Sequence, residues 1–289
     1  MKALLLLLLL SACAGNPRDS CRLEQVADVP LQVFGNVPVL PLEINGRRAW
    51  LVLDTGSDRT VLTRAAAARV GVPAGEGVQR VGAAGGRAEL GVAVMDTLSL
   101  SGMELHAVRA LLADAPRPPL DGVLGLDVLV GFEVELDLPH RHAVFYRART
   151  CLDARPAWAG VPLAAQQQAG SGHVFVPVEL DGQPLRGLLD TGASRTTLSV
   201  QAAEDVGVTR RALALLPGTR GQAINAEGVV VRRAVFRALR IGPDLIERPA
   251  LAITDLPPFA GDMLVGSDYL GTRRVWFALA LGRVWVEGQ

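Results

Sequence analysis

The sequence has little lysine, histidine, cysteine or aromatic residue, and each scarcity excludes something. Lys2 is the only lysine, and 29 basic residues balance 29 acidic ones to a formal net charge of zero. A neutral chain offers no basic stripe, so no nucleic-acid partner is expected. Four histidines and three cysteines are too scattered for a metal site. His106 and His173 stand alone, and His140 and His142 lie two apart in an expected turn. Neither a metal nor a cofactor is expected. The apolar run from Ala3 to Leu10 falls short of the roughly 20 residues that a membrane-spanning helix needs. What the chain does have is 289 residues, 49% of them hydrophobic, enough for a sizeable core in one or two domains.

The N-terminus carries an address. Met1-Lys2 is a minimal basic start, and Ala3 to Leu10 has the length of a secretory signal core. Leu10-Ser11-Ala12-Cys13 follows directly and resembles the bacterial lipobox, in which a cysteine is lipidated and becomes the new N-terminus. The resemblance implies a signal peptide over 1–12 and a lipidated Cys13 with a polar tether over 13–30. Ala14 is not the aspartate that retains such lipoproteins at the inner membrane, so the outer membrane, facing the periplasm, is favoured. An ordinary signal peptide with a chance cysteine is the alternative. Export would leave Cys21 and Cys151 free to pair as a disulfide or to remain two buried thiols.

The rest of the chain repeats itself. At an offset of 136, Pro41-Leu42-Glu43-Ile44-Asn45-Gly46 falls on Pro177-Val178-Glu179-Leu180-Asp181-Gly182. At the same offset Leu53-Asp54-Thr55-Gly56 falls on Leu189-Asp190-Thr191-Gly192, and Arg59-Thr60 on Arg195-Thr196. A second block, around Gly125 and Gly266, repeats at an offset of 141, so the second copy contains an insertion of about five residues. Each copy has alternating apolar and polar residues around an Asn-Gly or Asp-Gly turn, then an alanine-rich stretch, then glycine-punctuated strands. The expected fold is all-β, mainly strands with short helices, as lobes over 31–150 and 173–289 joined by a linker over 151–172.

An Asp-Thr-Gly triplet alone is weak, because aspartate and glycine are ordinary turn residues. Two copies, each after an apolar strand and each followed by a glycine block, are specific. The stretch Asp54-Thr55-Gly56-Ser57-Asp58-Arg59-Thr60-Val61-Leu62 resembles the active-site loop of retropepsins, the retroviral-type aspartic peptidases. The Gly125 and Gly266 blocks, with Asp127 and Asp268, resemble the segment that supports that loop. The resemblance runs from about Val37 to Val286 and implies an acid-protease fold with two pseudo-twofold-related lobes in one chain, a monomeric pseudo-dimer.

It also implies roles. Asp54 and Asp190 would activate a water, since two carboxyls sharing one proton supply both base and acid. Thr55 and Thr191 would lock the loops together, and Gly56 and Gly192 would shape the turns. Ser57 follows one triplet and Ala193 the other. A Ser57 hydroxyl donating to the carboxylate would make Asp54 the ionised partner. Gly82, Gly85 and Gly86, and Ile224 and Asn225, lie where the family has two flaps over an extended peptide substrate. Retropepsins usually carry arginine where Leu126 and Ser267 stand; here Arg59 and Arg195 either pair with Asp127 and Asp268 instead or are ordinary surface charge. The resemblance points to an aspartic endopeptidase. A catalytically silent peptide-binding lipoprotein of the same fold and a purely structural envelope lipoprotein remain as alternatives.

Overall fold

A computed structural model describes residues 23–83, 86–114, 120–148, 155–158, 162–221 and 229–287. Each copy begins with a hairpin. In the first, Val37–Ile44 pairs with Arg47–Leu53; in the second, Val174–Leu180 pairs with Gln183–Leu189. Asn45-Gly46 and Asp181-Gly182 all have positive φ, the backbone of the two-residue turn that matches strand twist. Both hairpins bury most of their apolar residues on the core side.

The second strand of each hairpin is drawn to the centre of its lobe. Arg47–Leu53 runs parallel to Gly122–Leu124, which pairs antiparallel with Val61–Thr63. Gln183–Leu189, Met263–Val265 and Thr197–Ser199 repeat this arrangement. Short helices follow at Arg64–Val70 and Val200–Asp205, capped by Thr63 and Ser199, whose hydroxyls accept the Ala66 and Ala202 N–H groups.

The five-residue insertion can be located. Ile44 pairs with Leu98 and Leu180 with Leu239, already at the larger offset. The extra residues therefore lie between the first helix and those strands. There the second copy has a further helix, Arg210–Leu215, capped by Thr209, which the sequence pattern did not predict.

A separate sheet joins the lobes, in the order Leu23–Pro30, His142–Ala148, Glu133–Asp137, Arg274–Ala278, Arg283–Val286. The expected tether ends sooner than Pro30: from Leu23 the chain is a strand paired with His142–Ala148. Alternate residues of that strand, Ala27 and Val29, are buried, which holds it to the sheet. Part of the expected linker also pairs, Gln166–Gln167 with Val174–Leu180 and Leu163 with Val284. The joining sheet buries two acids. Glu133 accepts the Trp276 indole N–H at 3.0 Å, and Glu135 accepts from Trp158, Tyr146 and Arg274. One apolar core, from Ala27 to Val284, runs through both lobes. Cys13, Cys21 and Cys151 lie outside the described residues.

Candidate active site

The two triplets meet at the boundary between the lobes. Each aspartate follows the central strand of its lobe, and each backbone N–H is held by the glycine block's strand. Asp54 N–H donates to the Leu124 carbonyl at 3.1 Å and Asp190 N–H to Val265 at 3.0 Å. Leu53 and Leu189 are fully buried behind them.

Thr55 and Thr191 lock the loops across the pseudo-twofold. Thr55 Oγ1 donates to the Leu189 carbonyl at 2.8 Å and accepts the Thr191 N–H at 3.1 Å. Thr191 Oγ1 donates to the Leu53 carbonyl at 2.6 Å and accepts the Thr55 N–H at 3.0 Å. Both threonines are buried. The glycines have a steric reason. A Cβ on Gly56 would overlap the Asp190 carboxyl, and one on Gly192 would overlap that of Asp54. Each glycine therefore lets the opposite carboxylate approach.

The two carboxyls meet across the lobe boundary, each against the opposite triplet's glycine, and both titrate above the usual carboxylate range. Burial lifts Asp54 furthest, followed by the charge of Asp190; the Gly56 and Ser57 N–H groups oppose the rise. Burial also lifts Asp190, but there the Ala193 and Gly192 N–H groups, each 2.9 Å from Oδ1, pull against it. The two carboxyls therefore titrate as one pair, in which one keeps a proton beside the charge of the other. The contact on which the expectation drawn from Ser57 rested is not made. The Ser57 hydroxyl does not serve the carboxylate; it donates to the Arg59 carbonyl at 2.8 Å. The backbone N–H groups of Ser57 and Ala193 oppose the rise of Asp54 and Asp190 alike.

The glycine blocks support the loops through residues without an expected role. Thr60 Oγ1 donates to Asp127 at 2.8 Å and accepts the Gly125 N–H at 3.1 Å. Thr196 does the same between Asp268 and Gly266. Asp127 and Asp268 also accept the threonine backbone N–H. They do not pair with Arg59 and Arg195, which are exposed. A carboxylate capping a buried N–H and hydroxyl is already satisfied, so the arginines remain outside. The exact recurrence of Thr60 at Thr196 was the available signal. A Cβ at Gly125 or Gly266 would press on the backbone of Arg59 or Arg195, at 2.5 Å, so the block packs directly under the loop. In the second copy Ser267 adds a hydroxyl donated to the Thr191 carbonyl at 2.8 Å.

A cleft of about 340 Å³ opens over the dyad. Val61, Val81, Leu90 and Leu111 line one side, Leu188, Leu256, Phe259 and Leu264 the other. The hairpin Ala74–Ala83 and Gly86–Leu100 arches beside it, and Gly82 lines it against the Phe259 ring. Gly82 and Gly86 thus belong to a hairpin at the cleft. Gly85, Ile224 and Asn225 lie outside the described residues. Among the described residues no cluster of histidine, cysteine and carboxylate could hold a metal.

Sequence reasoning also missed His173. It is fully buried, and its ring is stacked on Phe259, with centroids 5.3 Å apart and planes 3° from parallel. It is one of the groups holding the Asp190 titration down.

A family model described as aspartyl protease matches residues 40–128 and 176–269, once in each copy. No curated protein matches the sequence. Among solved structures, the aspartic proteinase from Irpex lacteus aligns with a TM-score of 0.55 at 13% identity, covering 91% of this chain and 97% of that one. Basic 7S globulin from soybean aligns with a TM-score of 0.46 at 13% identity, over 92% and 95% of the two chains. At such identities the first likeness concerns the two-lobed fold.

Proposed function

We propose that this chain, which belongs to the aspartyl protease family, is an endopeptidase that hydrolyses peptide bonds with a water activated by Asp54 and Asp190. The observation that carries the proposal is two buried carboxyls brought together, each against the opposite triplet's glycine, beneath an open cleft. The charged carboxylate of the pair takes a proton from the water as its oxygen adds to the scissile carbonyl carbon. Its protonated partner gives a proton to the carbonyl oxygen. The tetrahedral diol then collapses: the C–N bond breaks, the first carboxyl passes its proton to the departing nitrogen, and the second recovers one from a diol hydroxyl. The dyad ends as it began, and no covalent enzyme intermediate is needed. An extended peptide suits the cleft, because its side chains reach the apolar walls alternately while its backbone pairs beside the hairpin.

The test is a digest of a denatured peptide mixture by the soluble mature chain, beside Asp54→Asn and Asp190→Asn variants. Cleavage lost in both variants is expected. Cleavage surviving in either defeats the shared-proton mechanism. Peptide binding without cleavage by the parent would favour the silent binder. We also propose that Cys13 is lipidated and tethers the protein to the outer membrane, facing the periplasm, on the strength of the lipobox-like segment. Labelled fatty acid should enter the parent and not a Cys13→Ala variant.

A further inference from the structure

His173 occupies a place where the two copies differ. At the offset of 136 its counterpart is Val37, an apolar residue packed with Val39 and Val52. One copy thus has a side chain with no polar atom, and the other an imidazole buried to 0% exposure. The polar contacts of that ring cross to the other lobe. Its Nε2 lies 3.1 Å from the Gly56 carbonyl and 3.2 Å from Asp58 Oδ1. A carbonyl only accepts, and a carboxylate does likewise, so Nε2 must carry the hydrogen. Nδ1 is buried with no hydrogen-bond partner among the described residues. Such a group costs stability unless something else offsets it, and a buried polar group kept under that penalty calls for an explanation.

The explanation lies in what Gly56 touches. Its N–H donates to Asp54 Oδ1 at 2.9 Å, and its Cα faces the Asp190 carboxyl so closely that no Cβ fits. A small shift of this one residue alters the surroundings of both aspartates. The third peptide atom group, its carbonyl, is the one His173 holds. The other face of the imidazole is covered by Phe259, which itself meets the cleft hairpin at Gly82, 3.0 Å from where a Cβ would stand.

We propose that His173 is a positioning residue for the dyad: its buried Nε2–H, donated across the lobe boundary to the Gly56 carbonyl, fixes the first Asp-Thr-Gly loop. It acts through Gly56 and does not touch substrate. Val37 supplies no such donor to the second loop, so the device breaks the twofold equivalence of the aspartates. The groups facing the ring are Asp58, Asp190, the Gly56 carbonyl and the Phe259 ring. The role in turnover rests on the endopeptidase reading above; the role in holding the loop does not.

Two substitutions separate donor from packing. His173→Gln keeps an N–H donor near the Nε2 position, whereas His173→Phe keeps the stack on Phe259 and removes the donor. Hydrogen exchange of the full chain is followed in peptides covering 54–60, with those covering 190–196 as the internal reference. The Phe variant should exchange about tenfold faster over 54–60, the equivalent of one buried hydrogen bond, with 190–196 unchanged. The Gln variant should match the parent. In a cleavage assay kcat should fall about tenfold in the Phe variant, with KM within about twofold, and recover in the Gln variant. Unchanged exchange over 54–60 in the Phe variant overturns the proposal, as does an equal loss in both variants. If the Phe variant does not fold, His173→Met replaces it. A parent that cleaves nothing refutes the endopeptidase reading, while the exchange result still decides this one.

Discussion

Replacing Thr55 by valine removes a hydroxyl and almost nothing of the shape. That hydroxyl donates to the Leu189 carbonyl at 2.8 Å and accepts the Thr191 N–H at 3.1 Å. Thr55 is 3% exposed and Thr191 0%, so water cannot take its place. Two buried groups of the other lobe are left without a partner, at about 1–3 kcal/mol each. The methyl that replaces the hydroxyl offsets at most ~0.8 kcal/mol. The hydrogen bonds win, and the net loss is about 3 kcal/mol, or a melting temperature lower by roughly 6–12 °C. The assay is a urea midpoint and a thermal melt of the mature chain, with Thr55→Ser beside it. Serine keeps both bonds and loses only a methyl, so it should cost about 0.8 kcal/mol. The threonine hydroxyls do not bond each other but hold the same two loops. A Thr55→Val, Thr191→Val double variant should therefore lose less than the sum of the singles, by at least about 0.5 kcal/mol. A valine variant no less stable than the serine variant would refute the reasoning, because the lock would then be geometry without energy.

Other expectations follow from the same contacts. Ser57→Ala should leave the pH profile of cleavage unmoved, since the hydroxyl donates to Arg59 and not to the dyad; a shifted acidic limb would restore a role for it. Gly56→Ala should lower kcat/KM by about 100-fold or more, because the added Cβ displaces the Asp190 carboxyl and misplacement of about 1 Å costs that much. Burial raises the titration of Glu133, opposed by the Trp276 indole. As pH rises through the ordinary carboxylate range the unfolded chain releases this proton before the folded form does, so the contribution of Glu133 is full below that range and is lost as pH rises through its raised titration. Glu133→Gln keeps an acceptor for Trp276, so it should raise the melting temperature at pH 7 and lose that advantage near pH 4. An equal effect at both pH values would contradict the assignment.

The repeat made much of the site legible. Residues that recur at one offset in two copies must do the same thing twice, and Asp54, Thr55, Gly56, Gly125 and Asp127 each recur with their mates in equivalent contacts. Turn chemistry at Asn45-Gly46 and Asp181-Gly182 set the hairpins, because only a few residue types accept positive φ there. Thr60 and Thr196 were visible as repeats, but nothing in sequence says that a hydroxyl bridges a glycine N–H and a carboxylate across some 65 residues. The strand at Leu23–Pro30 was missed because its partner, His142–Ala148, is more than 100 residues away.

Sequence by itself determined that there are two lobes, two aspartates and one twofold relation between them, since these are properties of matched local patterns. Only the tertiary structure decided how the twofold is broken. Ser57 against Ala193 was the difference that could be read, but the Ser57 hydroxyl turns to the Arg59 carbonyl and not to the carboxylate. The difference that reaches the dyad loop is an imidazole at the start of the second lobe, whose Nε2 meets the Gly56 carbonyl. It acts through space. The charge on a buried carboxyl depends on which dipoles lie within about 3 Å of it, and chain order does not specify that distance.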